Sequence, residues 1–277
     1  MILDALERGW LVGALALLVA LELWRPRRAT IQGRGLRWPT NLAIGSLNVL
    51  LTTLTLAPIA VAAVGADRSW GVLNQLSLPW SLGVALAVVV LDALTYLQHR
   101  LLHAKGVLWR VHRVHHADVD LDATSGLRFH PIEALITQAT TVAAIVVLGL
   151  PPAGVAAYLW LSTIITLLTH ANLRVPRRLE GAAQWVVVTP AMHAIHHSAQ
   201  PEESERNFST LFSVWDRIGG TFDVSGDEAR RPARVGLAEF RETRYLTLPW
   251  TLALPFCGSP AGSAATIPES PGHPATR

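Results

Sequence analysis

The sequence predicts an all-α protein: a multi-pass helical integral membrane protein with a cytoplasmic histidine-rich helical cap. Three observations predict it. Of 277 residues 51% are hydrophobic and only 16% charged, where a soluble domain carries about a quarter charged residues. Mean hydropathy is +0.34, and several apolar runs approach the roughly 20 residues a helix needs to cross a bilayer. Ten of the eleven histidines fall between His99 and His197, eight of them in three short clusters. By length the chain holds one or two domains. We divide it into membrane helices and loops over 1–79, a histidine-bearing domain over 80–222 and a partly disordered tail over 223–277.

Gly9–Trp24 is the weakest span, being short and containing Glu22. It is not a cleaved signal peptide, because Asp4 and Glu7 precede the apolar run and Arg25, Arg27 and Arg28 follow it. Asn41–Val64 is long and uncharged, and Trp80–Leu97 carries the single charge of Asp92. Ile132–Leu150 and Ala153–Thr169, separated by Pro151-Pro152, read as an antiparallel hairpin of two spans. The loop Arg25–Pro39 holds five arginines and Gly65–Pro79 only Arg68. By the positive-inside rule the first loop is cytoplasmic. Counting spans from there places every histidine cluster on that same face, consistent with Arg174, Arg177 and Arg178.

The lone Cys257 excludes an intrachain disulfide and argues against a thiolate metal site. The basic balance (+3) follows span ends rather than a groove-sized patch, so nucleic acid is not an expected partner. The stretch from Gly258 is low in complexity, and His273 within it carries no expected role.

The histidine spacing is that of metal ligands on helices. His99 and His103 are four residues apart, one helical turn on one face. In HRVHH, His112 precedes His115 and His116 by three and four residues, and HAIHH repeats this with His193, His196 and His197. Each box is expected to aim its imidazoles at one point. Eight such ligands exceed one ion's capacity, so two metals are inferred. His130 in RFHPIE and His170 in LTHANLRVP stand at span ends, where they can complete the shell. Asp92, about 10 Å below His99 at 1.5 Å per residue, is expected to partner another imidazole.

With boxes HX3H, HX2HH and HX2HH between apolar spans, the sequence resembles the fatty acid hydroxylase and sterol desaturase superfamily. SGLRFHPIE, THANLRVP and RNFSTLFSVWDRIGGTF are similar to further family segments, and the likeness runs from Trp80 to Phe222. Asn207-Phe208-Ser209 departs from the usual Asn-Tyr-Gly. The resemblance implies two irons, O2 as co-substrate, and hydroxylation or desaturation of an unactivated C–H bond in a membrane lipid such as a sterol, hopanoid or fatty acyl chain. It implies His99, His103, His112, His115, His116, His193, His196 and His197 as ligands, with His170 and His130 beside them. Asp92, Asn172, Asn207 and Asp216 become supporting residues of the catalytic site. The sequence carries no Rossmann glycine fingerprint or cysteine cluster, so a separate electron donor is implied: a ferredoxin, a cytochrome b5-like protein or a reductase. Basic residues Arg110, Arg113, Arg174, Arg177 and Arg178 offer an acidic donor a docking face.

Two other classes share some of these features. A divalent-metal transporter would place its ligands mid-membrane, whereas these boxes lie at span ends. A membrane zinc hydrolase needs a general base, typically Glu in a HEXXH frame. Arg113 and Ala194 stand where that Glu would be.

Overall fold

The computed structural model describes residues 2–55, 58–59, 62, 71–104, 106–224 and 234–258. Helix α1 (Ile2–Trp24) is followed by α2 (Arg34–Thr55) and α3 (Trp80–His103), then α4 (Val107–His116), α5 (Pro131–Leu148) and α6 (Pro152–His170). Shorter helices complete the cap: α7 (Arg177–Ala183), α8 (Pro190–His196), α9 (Pro201–Ser204), α10 (Val214–Ile218) and α11 (Leu248–Ala253). Among the described residues there are isolated β-bridges but no strand.

Among the described residues, helices α3, α5 and α6 are the three long and apolar enough to cross a membrane. The α5–α6 hairpin is built as its sequence suggests. Gly149 ends α5 in the left-handed region (φ 67°), and α6 starts with proline in its first turn. Gly154 lets α6 approach α3 closely, since a Cβ there would sit 2.5 Å from that of Ala87. Thr95 and Tyr158 join the same helices through a 2.6 Å hydroxyl contact, and Gln98 Nε2 donates to Thr137 Oγ1 between α3 and α5.

The N-terminal part departs from expectation. Gly9–Trp24 forms a shorter apolar helix, and Glu22 is buried, accepting from the backbone N–H groups of Ala123 and Asn172 at 2.7 Å. Its carboxyl ties α1 to the cap through these two bonds. Helix α2 starts seven residues before the expected Asn41 and buries a mixed face including Thr40, Asn41 and Asn48. The end of that expected span, at 56–57, 60–61 and 63–64, lies outside the described residues.

Arg37, taken from sequence as one of the topology-setting arginines, is fully buried. Its guanidinium holds Asp118 bidentately (2.5 and 2.8 Å), Asp122 at 2.7 Å and the carbonyl of Asp120 at 2.8 Å. Burial would raise the Asp118 carboxyl, but Arg37 overrides it and holds that group well below the usual carboxylate range. The acidic loop HADVDLD thus wraps a single cation and is fixed against α2 directly after the second histidine box.

Part of the expected tail is ordered. Phe240, Tyr245 and Leu254 pack into a core with Ile44 and Val114, and buried Arg128 ties Val114 O to Tyr245 O and Thr251 Oγ1. Residues 259–277, including His273, lie outside the described residues.

Candidate metal centre

Nine histidines converge where α3, α4, α6 and α8 meet, and they form two groups. His99, His103, His112, His116 and His196 make one, and His115, His170, His193 and His197 the other. Within each group the candidate ligand nitrogens all lie within 4.8 Å of one another. The boxes do not each serve one point. In each HX2HH box the i, i+4 pair goes to one group and the remaining histidine to the other: His112 and His116 against His115, His193 and His197 against His196. Helical geometry explains the split. Residues four apart share a face, while consecutive ones diverge by about 100°.

Local bonds fix which nitrogen four of these rings offer. The Nδ1 atoms of His99, His170 and His196 donate to the carbonyls of Phe208, Thr166 and Arg206 at 2.7, 2.7 and 2.8 Å. His112 Nδ1 pairs with Glu133 Oε1 at 2.7 Å. A carbonyl only accepts, so the proton of each such neutral ring sits on Nδ1 and Nε2 presents a lone pair. His99 Nε2 and His112 Nε2 are nevertheless 3.1 Å apart, and His196 Nε2 is buried with no partner. His170 Nε2 lies 3.1 Å from His115 Nε2 and 3.0 Å from His193 Nε2. The facing lone pairs of His99 and His112 repel unless a cation lies between them, so the donor set fits bound metal. Burial, then the neighbouring imidazoles, lowers His112, His115, His116, His193, His196 and His197 well below the ordinary histidine value, keeping the rings neutral as ligation requires.

His130 is not brought to either group. Its Nε2 is 3.2 Å from Leu252 O and its Nδ1 accepts from Ile132 N, capping α5. Asp92 meets no imidazole. It accepts from the backbone N–H groups of Leu211 and Phe212 (3.1 and 2.9 Å) and from the Trp215 indole at 2.7 Å. Asn172 clasps the Arg28 backbone through both amide atoms. Asn207, in the left-handed region (φ 56°), bridges Met192 O and Asp223 O and accepts from Asp223 N. Asp216 accepts from Phe208 N, Ser209 N and Thr221 Oγ1. Asn207 and Asp216 thus hold the backbone of the helix carrying His193 and His196 and that of Phe208. Ser209, where the family usually has glycine, is used: its hydroxyl accepts from Asp216 N.

Glu133 was missed by sequence reasoning, although an acidic residue inside a span is a functional signal. Three aromatic neighbours were also missed: Phe129 stacks on His115 at 4.3 Å, Phe208 stands edge-on to His99, and Trp109 lies 5.0 Å from His103. Of the basic residues considered for docking, Arg113 is buried and donates to Leu254 O and Cys257 O, whereas Arg110, Arg174, Arg177 and Arg178 are exposed.

A cavity of about 420 Å³ leads from the metal centre down between α2, α3, α5 and α6. Its upper wall includes His99, His112, His115 and Glu133, and its lower wall includes Tyr158, Leu159 and Ser162.

Fold and site together define a helical membrane protein with two adjoining all-histidine groups, each able to hold a metal ion, at the head of a cavity between its long apolar helices. Residues 84–221 match the fatty acid hydroxylase family, and the chain belongs to that superfamily. Ornithine lipid hydroxylase OlsE of Rhizobium tropici is 30% identical over 192 residues, covering 66% of this chain and 55% of that protein. Alkylglycerol monooxygenase of Xenopus tropicalis is 25% identical over 155 residues, covering 55% of this chain and 34% of its own length. Very-long-chain aldehyde decarbonylase GL1-9 of Oryza sativa subsp. japonica is 29% identical over 178 residues, covering 62% of this chain and 67% of that protein. The chain thus spans about half the length of the first relative and a third of the second. No solved structure matches the chain.

Proposed function

We propose that the protein is a di-iron, O2-dependent oxidase that hydroxylates or desaturates an unactivated C–H bond of a membrane lipid. The carrying observation is the pair of all-histidine groups at the head of a cavity that descends among the membrane-crossing helices. Relatives named for lipid hydroxylation and monooxygenation support this class of substrate.

When bound, two irons supply O2 activation. The chain's own residues supply the rest. His99, His103, His112, His116 and His196 hold one ion, and His115, His170, His193 and His197 the other. Phe129 and Phe208 pack against the rings and keep water from them. Glu133 holds the proton on His112 Nδ1, so that Nε2 is free to bind. Leu102, Leu127 and Leu167 give the cavity the apolar wall an alkyl chain needs.

Electrons come from a separate donor, for which exposed Arg174, Arg177 and Arg178 provide a basic landing face. That face is cytoplasmic on the arginine distribution. Metal analysis and lipid mass spectrometry test the reading. Two irons per chain, and one lipid class that gains an oxygen or loses two hydrogens only with O2 and reductant, are expected. Zinc in place of iron, or an unchanged lipid profile with iron-loaded protein, overturns it.

A further inference from the structure

The segment after the third histidine box takes an unusual path. It begins beside His99, where the Phe208 carbonyl accepts from the ring, and then runs down α3. At Asp92 it receives the carboxylate bonds to Leu211 N, Phe212 N and Trp215 Nε1. It climbs back to Tyr96, whose hydroxyl meets Thr221 Oγ1 at 3.0 Å. Asp92 precedes His99 by seven residues, a descent of about 10 Å along the helix axis. Leu97, nearer the histidine end of the same apolar helix and the last residue of its expected span, is an exposed leucine. The hairpin bottom therefore lies about two helical turns further into this apolar, membrane-length helix than His99.

Its outer surface suits that depth. The segment 184–188 pairs with the hairpin through Val188 N to Leu211 O and Ser213 N to Val186 O. Across 181–188 and 211–220 the exposed residues are Ala182, Trp185, Val186, Val214, Ile218 and Gly220, with no charge among them. Ile218 is 74% exposed, Trp185 68% and Val186 61%. Arg217 is folded inward over the rings of Trp185 and Phe222, and its guanidinium donates to Gln184 O. By contrast, the nearby stretch 200–206 exposes Gln200, Glu202, Glu205 and Arg206. Irregular backbone at membrane depth is tolerated only when its polar groups are satisfied within the protein. Asp92 supplies that satisfaction: it accepts three donors that lipid would leave unpaired.

We propose that the hairpin 208–222, with 184–188 beside it, is inserted into the leaflet on the histidine side of the membrane, and that acyl chains of the bilayer are the partner of its exposed apolar face. The cap is then seated in the membrane as well as above it, and Thr210 lines the cavity from the hairpin's inner side. This inference rests on the geometry of α3 and not on the oxidase chemistry.

Depth measurement by electron paramagnetic resonance tests it on the full chain in nanodiscs of phosphatidylcholine and phosphatidylglycerol. In a Cys257→Ser background, a nitroxide is placed by Ile218→Cys or, as a second site should that variant misfold, Val186→Cys. Leu97→Cys on α3 is the lipid reference and Glu202→Cys on α9 the aqueous one. The expected result is high collision with O2 and protection from a water-soluble nickel chelate at Ile218 and Val186, matching Leu97. Chelate access equal to that at Glu202 overturns the proposal, whether or not the protein oxidises any lipid.

Discussion

The Glu133 carboxylate lies 2.7 Å from His112 Nδ1, with its other oxygen buried and unpartnered. A carboxylate behind a ligating imidazole fixes the tautomer and ring angle, and loss of such a partner typically costs about 10–100-fold in metal affinity. Glu133→Leu should weaken iron binding by that order, measured by competition with a chelator. Glu133→Gln keeps an acceptor at the same place and should recover much of the loss. Equal affinity for both variants and the parent would show that the contact does not orient His112.

Asp92 makes a different prediction from the one its position first suggests. Its carboxylate serves the backbone of Leu211 and Phe212 and the Trp215 indole, not a ligand. Asp92→Ala leaves buried donors unpaired, at about 1–3 kcal/mol each. A clear fall in thermal stability in detergent is expected, with iron stoichiometry retained in the fraction that stays folded. Loss of iron from well-folded protein would instead place Asp92 in the metal shell.

Much of this site is legible in the sequence because its signal is local. Ligand spacing of three and four residues on a helix is set by 3.6 residues per turn, and the rings of all three boxes do converge. The partition of each HX2HH box is not legible, because it depends on which neighbouring helix approaches each face. Arg37 was unreadable for a related reason. An arginine near a span end looks like a topology signal, and its partner Asp118 is 81 residues away. The hairpin spans were clear from Pro151-Pro152, whereas the start of α2 at Arg34 was not, because its first turns bury Arg37, Thr40 and Asn41 against protein.

Arg37→Leu isolates that misread residue. Removing one member of a buried ion pair strands the others, at about 3–5 kcal/mol. Asp118 and Asp122 would be left without their cation, and the loop that follows His116 would lose its anchor to α2. Severe loss of folded protein is expected. Arg37→Lys, which cannot fork across two carboxylates, should fall between the two. Wild-type stability in Arg37→Leu would show the cluster to be dispensable.

His130 and His170 separate the two histidines at span ends. His170 Nε2 stands among its group's nitrogens, whereas His130 caps α5 and reaches Leu252 O. His170→Ala should reduce bound iron, and His130→Ala should leave it unchanged while costing stability of about 1 kcal/mol, the scale of a helix cap. Iron loss in His130→Ala that matched His170→Ala would return His130 to the ligand shell.

Acid should dismantle the centre at a pH set by the unfolded chain. His112, His115, His116, His193, His196 and His197 are lowered well below the ordinary histidine value, by burial first and by their neighbours second. In the unfolded chain the same rings titrate near about 6.5. Below that pH the unfolded state binds more protons than the folded one, so stability falls as pH falls; above it the contribution is fully present. Metal binding shifts the balance the same way, because only the neutral ring ligates. Thermal midpoint and bound iron should both hold level from about pH 8 to 7 and drop together below about 6.5. A midpoint unchanged down to about pH 5 would mean that these imidazoles are not held neutral by the fold.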